Sequence, residues 1–255
     1  MFTEGHDVNS VERKTLDVLG ALSIASEEIE AYGSDPAQFI EWFGPADGEL
    51  IVFIHGGGFR SNLTLAHARP AALALGSEGY RVALVETRKE LGNPNLTWAD
   101  MCTLAQREDF ADALWVGHSL GGTLVLDVVF SDKVPVHRAV VLAPFFSLTE
   151  EVEEFGDPTQ IANWMGGTPC DWPDTYAQLD PALRYADLGP DGYAKRNLRV
   201  RVLQGDKDVT NPAARLRNVM KLPFEIAVIP GANHVDLIRP GHDAWLLLLG
   251  ALSEA

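Results

Sequence analysis

The chain has 255 residues, 46% of them hydrophobic, with a formal net charge of -16 and a pI of about 4.7. This length fits one large α/β domain with a full hydrophobic core, and no linker rich in proline or serine divides it, so we predict a single domain over residues 1–255. The acidic balance argues against nucleic acid and an anionic membrane as partners, because both attract basic surfaces.

Cysteine content and hydropathy bear on the compartment. Cys102 and Cys170 are too few for a disulfide framework. No segment with the charge and apolar pattern of a secretory signal opens the sequence. The longest apolar run near an end, 244–252, is too short to cross a bilayer. We therefore expect a cytoplasmic protein with no membrane partner.

The first elements in the chain are a predicted helix and a predicted hairpin. Residues 8–22 have the periodicity of an amphipathic helix, which would either pack as a small N-terminal lid or fray. The stretches 27–32 and 38–43 alternate apolar and polar residues around the turn residues 33–36. This pattern predicts an antiparallel hairpin at the edge of a sheet.

A glycine-rich loop follows the next predicted strand. The continuous apolar run 50–54 leads directly into His55-Gly56-Gly57-Gly58-Phe59. Three glycines after a buried strand allow backbone N–H groups to approach a ligand, as in a loop that forms half of an oxyanion hole. The alternative is a flexible loop that only needs turns. His55 precedes the glycines, so we expect it to orient the loop rather than act as a base.

Strands and helices then alternate. A helix is predicted at 63–77, a strand at 80–85, a helix at 97–107 capped by Thr97 with Asp100 three residues later, and a strand at 137–142. Units of strand, helix and strand predict a mostly parallel sheet with helices on both faces.

The strongest motif is Gly117-His118-Ser119-Leu120-Gly121. Residues 113–116 predict a buried strand before it, and 123–130 predict an apolar helix after it. Between strand and helix, this motif is a nucleophile elbow, in which a turn that admits only glycine at 117 and 121 exposes the serine hydroxyl. We predict Ser119 as the nucleophile. The N–H groups of Gly57, Gly58 and Leu120 would then form the oxyanion hole.

Residues 145–195 break the regular pattern. Glycines, prolines and scattered aromatic residues predict an irregular insertion of short helices, which we interpret as a lid over the site. Trp164 and Trp172 would supply apolar walls for an acyl or aryl group of the substrate. Packing of the same aromatic side chains onto the core is an equally supported alternative.

The last third of the chain carries the acid and base candidates. A strand at 198–203 is followed by Gly205-Asp206-Lys207-Asp208, and a strand at 222–229 is followed by the loop that contains His234. A serine, an acid and a histidine in this order fit the residues of an acyl-transfer triad. We predict Asp208 as the orienting acid, with Asp206 as the fallback, and His234 as the general base. A helix at 244–252 closes the chain.

Together, the elbow, the HGGG loop, Asp208 and His234 resemble the α/β-hydrolase superfamily across essentially the whole chain. The stretches 55–60, 67–70 and 233–238 resemble its kynurenine formamidase-like (arylformamidase) and small esterase/lipase branch. The resemblance implies the α/β-hydrolase fold, with a twisted, mostly parallel sheet and a small lid insertion. It also implies that Phe59, the aromatic residue of the HGGG loop, contacts the substrate.

Three functions follow from these predictions. The leading one is hydrolysis of small carboxylic esters through an acyl-enzyme on Ser119, with neither metal nor organic cofactor. The second is removal of a formyl group from an aryl amine. The third is a noncatalytic ligand-binding protein on a hydrolase scaffold. Dehalogenase and epoxide hydrolase chemistry is disfavoured, because it requires an aspartate at the elbow. The expected partner is a small ester or amide, and an edge strand or the terminal helix could support a homodimer.

Overall fold

A computed structural model of the chain describes residues 10–58, 63–157, 161–217, 219 and 222–255. The strands in these ranges belong to one sheet. Their bounds are β1 Glu28–Ala31, β2 Phe39–Phe43, β3 Leu50–Ile54, β4 Arg81–Glu86, β5 Leu114–His118, β6 Arg138–Leu142, β7 Arg199–Gly205 and β8 Glu225–Ile229. Their order in the sheet is β1-β2-β4-β3-β5-β6-β7-β8.

The direction of the strands confirms both sheet predictions. β1 and β2 form the antiparallel hairpin at one edge, and β2 also pairs antiparallel with β4. From β4 onward every neighbouring pair is parallel. The turn between β1 and β2 is stabilised by Asp35, whose side chain accepts the N–H of Ala37 at 2.9 Å.

Helices cover both faces of the sheet. Their bounds are α1 Ser10–Ala21, α2 Arg69–Ser77, α3 Pro94–Ala105, α4 Leu120–Phe130, α5 Leu148–Glu153, α6 Ile161–Met165, α7 Pro173–Leu179, α8 Pro181–Lys195, which is kinked at Gly189, and α9 Asp243–Ser253. Alternate residues of β3 belong to two separate cores, Val52 and Ile54 to one, Ile51 and Phe53 to the other. Side chains of a strand point alternately to opposite faces, so a continuous apolar run requires a core on each side. This architecture is the predicted α/β-hydrolase fold.

The predicted start of α3 was wrong. The helix begins at Pro94 rather than near Thr97. Proline is favoured in the first turn of a helix, where its missing N–H has no partner to lose. Thr97 instead donates its hydroxyl hydrogen to Arg88 O at 2.6 Å. Asp100 is fully buried and accepts hydrogen bonds from Gln38 and Arg88, so it connects α3 to the sheet edge.

The insertion at 145–195 contains the expected short helices, but most of its aromatic residues pack into the core. Trp164, Tyr176, Tyr185 and Tyr193 belong to the same buried cluster as α4. The Tyr185 ring meets Phe130 of α4 edge to face, with centroids 5.4 Å apart. Of the two interpretations of these aromatics, core packing is the one that the structure supports. No helix within the described ranges is long and apolar enough to cross a bilayer.

Candidate active site

Ser119 lies at a sharp turn between β5 and α4. Its φ of 55° is in the left-handed region, which costs a residue other than glycine roughly 1–3 kcal/mol and is found mainly at functional sites. The two motif glycines are needed sterically. A Cβ at position 117 would lie 2.5 Å from Gly121 O, and one at position 121 would lie 2.3 Å from Ile54 O. The Ser119 N–H donates to Leu142 O at 2.7 Å, which connects the elbow to the end of β6.

The structure pairs His234 with Asp208. His234 Nδ1 donates to Asp208 Oδ2 at 2.7 Å, and both side chains are buried. Asp206 lies elsewhere, with its exposed carboxylate accepting the N–H of Gly231 at 2.7 Å. Since Nδ1 is occupied, Nε2 is the His234 nitrogen that remains available to Ser119, and both residues line one cavity.

Other side chains hold Asp208 in place. Gln204 Nε2 donates to Oδ2 at 2.8 Å, and the Asn211 N–H donates to Oδ1 at 2.7 Å. The Asn211 side chain in turn donates to Pro144 O at 2.7 Å, next to the end of β6. Sequence reasoning missed both Gln204 and Asn211. Both residues lie within seven positions of Asp208, which could have marked them as candidates. Sequence proximity does not show where their side chains point.

Four buried histidines surround the elbow and differ in electrostatics. Burial disfavours the charged ring, so it lowers the pKa of His55, His67 and His118, that of His67 to about 3. Burial acts in the same direction on His234, but the Asp208 carboxylate outweighs it, so the pKa of His234 is raised. Of these four rings, His234 is the one whose protonated form its surroundings stabilise.

The predicted oxyanion donors line the same cavity. Gly57 and Gly58 have φ values of 136° and 62°, which favour glycine, and Leu120 begins α4. Within the described residues, no backbone carbonyl accepts the N–H of Gly57, Gly58 or Leu120. Free N–H groups beside a serine hydroxyl can stabilise a developing oxyanion.

His55 occupies a position that holds the glycine loop. Its Nδ1 donates to Gly56 O at 2.5 Å, and its Nε2 lies 3.1 Å from Lys89 Nζ. Lys89 also forms an ion pair with Glu86, whose second oxygen accepts the N–H of Leu65 at 2.8 Å. The neutral ring therefore connects the loop to a buried charge pair at the end of β4, as expected of an orienting residue.

The cavity has a volume of about 470 Å³. Apolar groups from Leu16, Leu63, Phe145 and Val235 form much of its wall, and Ser119 is part of its lining. One side of the cavity is formed by α1, so the predicted N-terminal helix packs over the site rather than fraying. Phe145 is the one described residue of 145–195 that lines the cavity, so among the described residues the cover comes from α1.

The two tryptophans predicted to contact the substrate do not line the cavity. Trp164 is buried in the core at 1% exposure. Trp172 is half exposed and donates its indole N–H to Gly166 O at 2.8 Å. Neither lines the cavity: Trp164 packs within the core, and Trp172 precedes α7 at the surface. Phe59 lies outside the described residues. Sequence reasoning missed His67 and the residues of α1, which do line the cavity.

The described residues contain no group of three or more histidine, cysteine or acidic side chains arranged to hold a metal ion.

Known proteins resemble this chain both in sequence pattern and in fold. The sequence pattern of the alpha/beta hydrolase family matches residues 51–244. Among curated proteins, none matches the chain significantly in sequence. The fold is similar to that of a candidate thioesterase from Silicibacter sp., with a TM-score of 0.68, 17% identity, and coverage of 95% of this chain and 90% of the other.

A second structural neighbour is esterase 2 of the planctomycete Thermogutta terrifontis. Its native form has a TM-score of 0.65 and 18% identity, and the alignment covers 93% of this chain and 95% of the esterase. The same esterase has been solved with propionate bound, at a TM-score of 0.63, 17% identity and coverage of 89% and 92%. At these identities the likeness shows a shared fold.

Proposed function

Because the chain belongs to the alpha/beta hydrolase family, we propose that it is a serine hydrolase that cleaves small carboxylic esters through an acyl-enzyme. The observation that carries the proposal is the 2.7 Å hydrogen bond between His234 and Asp208, with His234 and Ser119 lining one cavity. A nucleophile, a base and an acid in this arrangement are the groups that two-step acyl transfer requires.

In the proposed reaction, Ser119 Oγ attacks the ester carbonyl while His234 Nε2 takes its proton. Asp208 stabilises the imidazolium that forms. The N–H groups of Gly57, Gly58 and Leu120 bind the oxyanion, and each such donor contributes on the order of 3 kcal/mol in comparable sites. His234 then protonates the leaving alcohol. A water activated by the same ring hydrolyses the acyl-enzyme and regenerates Ser119.

The charge around the cavity favours neutral substrates. Two carboxylates, Glu12 and Asp17, line it, and no arginine or lysine of the described residues does. An anionic acyl or leaving group would therefore meet like charge from these two carboxylates. The apolar wall suits a short aliphatic or aryl group. N-formyl-L-kynurenine carries a charged amino-acid group, whereas the apolar wall suits a neutral ester, so we keep the formyl amide as the alternative function.

Covalent labelling and turnover test the proposal together. We expect a fluorophosphonate probe to label the wild-type protein at Ser119 and not the Ser119→Ala variant, in line with the T. terrifontis esterase, which has been solved phosphonylated by sarin. We expect p-nitrophenyl acetate turnover to be lost in the same variant. An unlabelled and inactive wild-type protein would favour the noncatalytic alternative.

Measurement of kcat/KM on p-nitrophenyl acetate and N-formyl-L-kynurenine, side by side, identifies the bond that is cleaved. We expect the ester to be the better substrate. A preference for the formyl amide by several orders of magnitude would establish an arylformamidase instead.

A further inference from the structure

A buried carboxylate of the N-terminal helix lies beside the predicted base. Glu12 belongs to the first turn and a half of α1, yet it is only 1% exposed. Glutamate is almost never this buried without partners, since removing a carboxylate from water is costly. Glu12 also lines the cavity that contains Ser119 and His234.

The partners of Glu12 come from the two loops that carry the acid and the base. Its Oε1 accepts the backbone N–H of His234 at 3.2 Å and, more weakly, that of Val209 at 3.5 Å. Its Oε2 accepts the Thr210 hydroxyl at 2.7 Å. Val209 and Thr210 directly follow Asp208, so one carboxylate connects the acid loop to the base loop.

These contacts orient the carboxylate but do not neutralise it. The three donors are uncharged, so a negative charge is held next to the His234 residue. Two further titratable groups lie near the His234 ring, the Asp208 carboxylate and the neutral His118 ring, whose centroid lies 4.9 Å away. Asp17 lies further along α1 at the cavity, where it is exposed.

We propose that Glu12 is a positioning residue for the general base: it holds the His234 backbone and the acid loop together, and its charge stabilises the imidazolium during acyl transfer. This inference rests on the proposed serine hydrolase function. It makes the helix α1 part of the catalytic apparatus, although α1 lies outside the stretch that matches the family pattern.

The sign of the effect follows from the charge. A negative charge near His234 favours the protonated ring and so raises the pKa of His234, in addition to the larger effect of Asp208. The base works only when neutral, so activity falls as pH decreases through this pKa. Removing the charge of Glu12 lowers the pKa and moves this acidic limb to lower pH.

The test compares the pH dependence of kcat/KM for p-nitrophenyl acetate in wild type, Glu12→Gln and Glu12→Asp. Glutamine keeps the shape, and Thr210 can rotate its hydroxyl to accept from the new amide. In Glu12→Gln we expect the acidic limb to move down by on the order of half a pH unit. We expect kcat on the plateau to be about threefold lower, because the same loss of electrostatic stabilisation raises the barrier. Aspartate keeps the charge, so its limb should stay at the wild-type position although kcat falls.

Glu78→Gln is the matched control, because Glu78 is an exposed glutamate remote from the cavity lining. Its profile should coincide with that of wild type. An acidic limb that stays in place in Glu12→Gln would overturn the inference and leave Glu12 a structural tether only. So would a limb that moves as far in Glu12→Asp as in Glu12→Gln. Should Glu12→Gln fail to fold, Glu12→Asp is compared with wild type instead, and a shifted acidic limb in this variant, which keeps the charge, overturns the inference.

Labelling of Ser119 in the wild-type protein distinguishes failure of the proposed function from failure of the role proposed for Glu12. If the wild type neither labels nor hydrolyses esters, the proposed function fails and this inference fails with it. If the wild type labels and turns over while the acidic limbs of wild type and Glu12→Gln coincide, only the role of Glu12 is refuted.

Discussion

Replacing Asp208 by asparagine should abolish most activity, for a reason that the hydrogen bonds of this carboxylate define. Oδ1 accepts the backbone N–H of Asn211, whereas Oδ2 accepts from both His234 Nδ1 and Gln204 Nε2. In Asp208→Asn, the amide oxygen is needed by the Asn211 N–H. The amide nitrogen then faces His234 and Gln204.

This orientation forces His234 into the wrong tautomer. An amide N–H2 in place of Oδ2 can only donate, so the His234 ring must accept at Nδ1 and carry its proton on Nε2. An Nε2 that already holds a proton cannot take one from Ser119. By analogy with the same substitution in other serine hydrolase triads, we expect kcat to fall by about 10³–10⁴-fold, which corresponds to roughly 4–5.5 kcal/mol in the barrier.

The assay is kcat/KM on p-nitrophenyl acetate, with circular dichroism and thermal unfolding to show that the variant is folded. Asp206→Asn is the matched control, because this exposed carboxylate accepts the Gly231 N–H and does not contact His234. We expect its activity to stay within about threefold of wild type, since a surface hydrogen bond contributes about 1 kcal/mol or less. Near-normal activity in Asp208→Asn, or a large loss in Asp206→Asn alone, would refute the reasoning.

Three further predictions concern the same cavity. Ser119→Ala should lower kcat by about 10⁴-fold or more without loss of thermal stability, and an active variant would contradict the assigned nucleophile. The acidic limb of the wild-type kcat/KM profile should lie above the ordinary histidine value of about 6.5, because the pKa of His234 is raised. A limb below that value would contradict this. Gly20→Leu should fill part of the cavity, since a Cβ there has no neighbour closer than 3.9 Å. We expect kcat/KM for p-nitrophenyl octanoate to fall at least about tenfold more than for the acetate, and an equal loss for both esters would refute it.

Sequence patterns that depend on neighbouring residues led to correct predictions of the fold. The buried strand at β3, the hairpin of β1 and β2, and the glycines at 117 and 121 are all visible within a few positions of the chain. The start of α3 was mispredicted because a threonine with an acid three residues later can make hydrogen bonds other than those of a helix cap. Asp100 serves Gln38 and Arg88 instead of a helix N-terminus.

The residues of the candidate site likewise divide into those that the sequence could predict and those that required the structure. Ser119, Asp208 and His234 could be proposed from motifs and chain order, because each stands directly after a recognisable strand. The choice between Asp208 and Asp206 could only be settled by the direction of two side chains in one loop. Trp164 and Trp172 were predicted to contact the substrate but do not line the cavity. The sequence does not show whether an aromatic side chain lines a cavity or packs elsewhere.

The sequence by itself determined the strand and helix pattern and the turn that carries Ser119, the proposed nucleophile, since backbone sterics and side-chain periodicity act between near neighbours. Only the tertiary structure decided what covers the site. Glu12 and His234 are 222 residues apart in the chain and joined by a hydrogen bond. No local pattern predicts such a contact, because it depends on how α1 packs against loops formed at the other end of the sheet.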